Sequence, residues 1–172
     1  DLSAGTSVEA NLPEYIYFDR CFIHGDATLG GRSGINLGGK YMAAINCYIS
    51  GFKDPAPNTG DTQAIRIGDG IGGHLIQNNF LEGGAENFIS GGNNPTNLAW
   101  VAADVTIRGN HFYKPLAWRA AGLTIKNHLE LKWGKRFLIE RNFFENFWAE
   151  DQDHSFNIAE IAQSAGHEAA IV

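Results

Sequence analysis

Lys126, His128, Glu130 and Lys132 form the best-placed cluster of titratable side chains for chemistry in this sequence. They occupy alternate positions, so an extended segment would turn all four to one face. A lysine aimed at the Cα of a uronate, with carboxylates holding a Ca²⁺ that acidifies its proton, is the equipment of a polysaccharide lyase. The same alternation also describes a charged strand face in water. A second set, Glu150, Asp151 and Asp153, lies in the run EDQDH and offers hard oxygens to a cation, or a solvated loop. The third set is a column. Phe22, Tyr48, Phe80, His111 and Phe143 are each followed by a large apolar residue: Ile23, Ile49, Leu81, Phe112 and Phe144. Neighbours on a strand cannot both face inward. If the second column fills a core, the first is an exposed aromatic stripe, suited to the apolar faces of sugar rings or to a partner surface. The segments Asn93 to Ala103 and Lys114 to Leu123 are long enough to fold over that stripe instead.

Other chemistries lack an anchor. The string Gly68 to Gly73 satisfies GxGxxG, but the residues after it, from His74 to Gln77, read as a strand, and a dinucleotide site needs a helix there. GxSxG, HExxH, Walker and CxxC motifs are missing from the sequence. Thirteen Lys and Arg against nineteen Asp and Glu give a net charge of -6, and no segment collects the bases, so nucleic acid is excluded as a partner. No apolar run reaches the roughly 18 residues of a membrane span, and the opening DLSAGTSVEA has neither a basic nor an apolar leader region. No membrane partner is expected. With 172 residues, 44% hydrophobic and 19% charged, the chain reads as a single domain over 1–172.

The elements that must position these groups are repeats. Gly 21 is a high count, and one pattern recurs five times: apolar, any, apolar, two polar or small residues, Cys or Asn, any, large apolar. Its Cys/Asn positions, Cys21, Cys47, Asn79, Asn110 and Asn142, are 26, 32, 31 and 32 residues apart. Each repeat carries a second alternating segment, centred on Asn36, Arg66, Ile89, Glu130 and Asn157. Short period-two pieces divided by Gly, Asn and Asp predict strands, and two or three strands per unit predict a parallel β-helix of about five to six coils. Stacked coils put equivalent residues in ladders about 4.8 Å apart. The Asn column is expected at a left-handed corner, which Asn tolerates. Cys21 and Cys47 would sit one rung apart, within the disulfide range of about 4.4–6.8 Å, but with parallel Cβ vectors, so free thiols are favoured. The outward column Asn36, Arg66, Ile89, Glu130, Asn157 offers no facing pair of carboxylates for glycoside hydrolysis.

The stretches Asn79 to Gly92 (NFLEGGAENFISGG), Asn110 to Arg119 (NHFYKPLAWR) and Lys126 to Lys132 (KNHLELK) resemble a bacterial right-handed parallel β-helix repeat family of the pectate-lyase-like superfamily, over about residues 13 to 160. That resemblance implies a right-handed β-helix that in other members runs on through further coils. It makes this chain a candidate fragment, with 161–172 as a short irregular or helical segment. The superfamily holds lyases, hydrolases and proteins without catalysis, so fold alone does not choose among them. The expected function is a non-catalytic scaffold or glycan-binding module of an exported bacterial protein, extracellular or periplasmic. No cofactor is expected; the alternative is a lyase of acidic glycans, which could use Ca²⁺. Expected partners are a polysaccharide and other copies meeting at open solenoid ends.

Overall fold

The computed structural model describes residues 8–55, 60–92, 97–149 and 151–158, and the backbone of 169–170. Strand propensity is spent in short pieces because a glycine or polar corner interrupts the chain every few residues. Tyr17–Asp19, Ala43–Ile45, Leu75–Gln77, Ala103–Arg108, Gly134–Glu140 and Ala169–Ala170 stack as sheet A. Phe22–His24, Tyr48–Phe52, Phe80–Gly83, His111–Tyr113 and Phe143–Glu145 stack as sheet B. Ser33–Asn36, Gln63–Ile67, Glu86–Ser90, Asn127–Leu131 and Phe156–Ile158 stack as sheet C. The chain visits A, B and C in turn, and these strands pair in parallel with their equivalents one coil away. The fold is therefore an all-β parallel β-helix.

Register makes the core a set of ladders. Phe18, Ala44, Ile76, Ile107 and Ile139 align in sheet A. Ile23, Ile49, Leu81, Phe112 and Phe144 align in sheet B. Ile35, Ile65, Phe88 and Leu129 align in sheet C. All of these pack in one hydrophobic cluster. Each fully buried Ile, Leu or Phe among them contributes roughly 2 kcal/mol. Because the apolar column after the Cys/Asn faces this cluster, the aromatic column before it must face out.

The corner between A and B differs from expectation by one residue. The left-handed position is not the Cys/Asn but the residue before it: Arg20, Asn46, Asn78, Gly109 and Arg141, with φ of 54°, 58°, 54°, 63° and 55°. That twist turns the next side chain inward to bond along the axis. Asn110 Oδ1 accepts the backbone N–H of Asn79 at 2.9 Å and its Nδ2 at 3.0 Å. Asn142 Oδ1 accepts the same two donors of Asn110 at 2.9 and 3.0 Å. The three amides also donate across the corner, to the carbonyls of Ala44, Ile76 and Ile107. Four non-glycine left-handed residues cost of order 1–2 kcal/mol each, and the ladder offsets them. Cys21 and Cys47 are free thiols in the same column. Asn79 Oδ1 takes the Cys47 N–H at 2.8 Å, and Cys47 Sγ in turn accepts the Cys21 N–H at 3.4 Å.

Two segments depart from the repeat. The stretch expected as a covering loop after Lys114 contains a short helix, Leu116–Ala120, opened by Pro115. Its Trp118 packs with Leu123, Ile125 and Trp148 in a small cluster of their own, so it does not lie on the aromatic column. Of the expected irregular or helical end, the two described residues, Ala169–Ala170, are instead extended and pair with Gly134 and Lys135. The rest of it lies outside the described residues.

Candidate functional site

The outer face of sheet B carries the aromatic column as a continuous series of ring contacts. Phe22 meets Tyr48 at 5.7 Å, Tyr48 stacks on Phe80 at 4.4 Å, Phe80 meets His111 at 5.1 Å, and His111 meets Phe143 at 4.9 Å. Register places these five residues on consecutive rungs. Phe22 is 67% exposed, Phe143 60% and Tyr48 48%. Tyr48 and Phe80 lie only 6° from parallel, whereas Phe22 is turned 61° from Tyr48 and His111 90° from Phe80. The stripe is thus a stacked centre with differently oriented rings at either end.

A polar row runs beside it, two residues further along each strand, which sequence reading did not single out. The signal was present as simple alternation: His24, Ser50, Glu82, Tyr113 and Glu145. His24 stacks on Phe22, and Tyr113 lies 5.5 Å from Phe80. His111 Nε2 and Glu145 Oε2 are 2.8 Å apart. Register slips between Ile49 and Phe52, and Glu82 Oε1 accepts the Gly51 N–H that this frees, at 3.0 Å. Burial raises the Glu82 carboxyl above its ordinary pKa, against the lowering effects of that bond and of Lys53. The face combines broad apolar rings with donors and acceptors at their edge, a composition that can bind a ligand with both apolar and polar surfaces.

Sheet C treats the charged cluster differently from the regular strand assumed above. Lys126 and Asn127 both donate backbone N–H to Ala85 O, and His128 and Leu129 both to Ser155 O. Two successive amides on one carbonyl mark a local bend, and the alternation is lost there. His128 is buried against Asn87 Oδ1 at 2.9 Å, and the same Asn87 amide donates to the Leu81 and Tyr113 carbonyls of sheet B. Desolvation, with the nearby Lys114 charge, depresses His128 to a pKa of about 3. It is a neutral structural histidine at physiological pH.

The other three residues are engaged. Lys126 is paired with Asp61; burial pulls its pKa down, but that bond and the charges of Glu86, Asp61 and Glu130 leave it raised. Glu130 is buried, 3.4 Å from Lys132 Nζ, and accepts Asn157 Nδ2 at 2.8 Å. Glu86, which sequence reading passed over, is buried in a ladder with Gln63 and Ser33, and desolvation holds its carboxyl well above the ordinary range. A lysine held protonated by an acid is a poor base for proton abstraction.

For the expected metal site, Glu150 lies outside the described residues. Asp151 is exposed, and Asp153 is exposed with its carboxylate 3.0 Å from His154 Nδ1, whose bond holds it below its usual pKa. Among the described residues no group of three or more His, Cys, Asp and Glu side chains is placed to hold a metal. The Gly68 to Gly73 string leads into the strand Leu75–Gln77, as expected. Its glycines serve close coil stacking, since a Cβ on Gly70 would meet the backbone of Gly39 at 2.5 Å. Comparison with protein-family models, curated proteins and solved structures finds no match to the chain.

Proposed function

We propose that the protein is a non-catalytic glycan-binding module that takes polysaccharide along the outer face of sheet B. The observation that carries this reading is the unbroken series of ring contacts Phe22, Tyr48, Phe80, His111, Phe143, in which Phe22, Tyr48 and Phe143 are exposed and Phe80 and His111 half-buried. Rings of this size are costly to leave in water and are repaid when a sugar ring covers them. The polar row at their edge supplies hydrogen bonds to hydroxyls. On this reading the protein works outside the cytoplasm, in the extracellular space or periplasm, where it meets polysaccharide.

Affinity electrophoresis through gels containing neutral or acidic polysaccharides tests the reading. At least one glycan retards the wild type, and Phe22→Ala or Phe143→Ala weakens retention about tenfold. Both rings are mostly exposed, so either variant keeps the fold. Unretarded migration across the panel, or retention indifferent to both substitutions, contradicts the proposal. An ultraviolet assay on the acidic glycans, with and without Ca²⁺, adds a separate arm: unsaturated uronate product that disappears in Lys126→Ala would replace this reading with a lyase.

A further inference from the structure

Beyond the ends of the first two sheet B strands, a cavity of about 330 Å³ opens at the corner towards sheet C. Arg32, Lys53, Asp54, Gly60, Asp61 and Thr62 are among the residues that line it. Asp54 is only 3% exposed, and among the described residues its Oδ2 has no hydrogen-bond partner. A buried carboxylate oxygen without a donor is costly, and such groups are rare unless something else completes them. Two other side chains of the wall are engaged: Asp61 is paired with Lys126, and Thr62 Oγ1 accepts the Ala85 N–H at 3.3 Å. Arg32 is exposed at the cavity, and the Lys53 charge is near enough to Glu82 to oppose the rise that burial gives its carboxyl.

This wall asks for two things at once, a donor for Asp54 and an acceptor for the cations. A metal ion would meet the repulsion of Arg32 and Lys53 with one uncommitted carboxylate. A neutral sugar would leave both cations unused, and an inorganic phosphate would press its charge against Asp54. A hydroxylated carboxylate satisfies both sides. The volume sits at the low end of small-molecule sites, about 300–1,000 Å³, which limits the occupant to a single sugar residue. We propose that the cavity is a subsite for one uronic acid residue, with its carboxylate on Arg32 and Lys53 and a hydroxyl donating to Asp54 Oδ2. This deepens the glycan-binding reading and rests on it for the polymer from which the residue comes.

The test is a titration of the isotopically labelled protein, followed by amide NMR, with galacturonate, glucuronate, glucose and glycine as separate probes. Saturable shifts around the cavity are expected with a uronate, at a Kd on the order of 1 mM. Arg32→Gln or Lys53→Gln weakens them about tenfold, as loss of a charge-assisted hydrogen bond does. Asp54→Asn weakens them too, with an unchanged amide spectrum elsewhere. No saturation by either uronate overturns the proposal, as does equal binding of glucose, tighter binding of glycine, or indifference to both cation substitutions. Phe22→Ala leaves this titration unchanged while weakening polysaccharide retention. The subsite and the stripe therefore fail separately.

Discussion

Asn110 shows how much one side chain does in this molecule. Its carbonyl satisfies two donors of Asn79, and its amide reaches both Ile76 O and Asn142 Oδ1. Asn110→Ala removes these bonds and strands the buried Asn79 N–H, so we expect a loss of about 3 kcal/mol in urea unfolding. The cysteines provide the converse. Cys47 Sγ contacts Phe18 O at 3.4 Å, and Phe18 stands where Ala44 stands for Asn79. An amide in its place would meet the partners that the Asn column uses, so Cys47→Asn should match or exceed wild-type stability, whereas Cys47→Ala should fall below it. Sequence alone made the column legible, since only Asn, and here Cys, fits one position in every coil. It did not show which residue takes the left-handed φ, because Arg20 and Arg141 carry no propensity for it.

Lys114 is the residue that composition could least have announced. It is fully buried, and its Nζ donates to Gly83 O at 2.8 Å and Gly84 O at 2.7 Å. Desolvation lowers its pKa to about 7, with Glu86 opposing. In the unfolded chain it titrates near 10.5, so above pH 7 the unfolded state holds the extra proton and stability rises with pH. Cys47, raised above 9.0 by burial, works the other way only at higher pH. Between pH 7 and 9 Lys114 should therefore add to the unfolding free energy of the wild type by at most about 1.4 kcal/mol per pH unit, and Lys114→Met should lose that rise in urea unfolding.

At the scale of elements, alternation located the strands and their partners. The columns Phe22 to Phe143 and Asn36 to Asn157 are both in register as read. What alternation could not supply was its own failure at 126–129, where shared acceptors bend the strand and separate His128 from Lys126, Glu130 and Lys132. The helix Leu116–Ala120 was hidden for a related reason: five residues are too few for a periodic signal. The two faces of sheet B should respond oppositely to truncation. Phe112 is fully buried in the core, and Phe112→Ala should cost about 3–5 kcal/mol. Phe143→Ala, on the next rung but outside, should cost under about 1 kcal/mol in the same unfolding measurement while weakening glycan retention about tenfold.

For the whole molecule, stability depends on how closely coils stack. Sheet C shows the limit: a Cβ on Gly34 would meet Ala64 O at 2.5 Å and the Phe52 ring at 2.7 Å. Gly34→Ala must push one coil off the next and should cost a few kcal/mol, about 1–3 by analogy with overpacked cores, read as a lowered melting temperature. This close stacking also brings the five rings of sheet B together, since each coil supplies one. The regular spacing of the repeats made that assembly readable from the sequence. The cavity beside Asp54 was not readable, because its walls come from loops with no common period.

The claim that the stripe is the glycan-binding face is tested most directly by watching its rings. A polysaccharide that retards the protein should be titrated in while aromatic side-chain NMR signals are recorded. Shifts concentrated on Phe22, Tyr48, Phe80, His111 and Phe143, saturating with the retention affinity, are the predicted result. Saturation without movement of these five rings would contradict it.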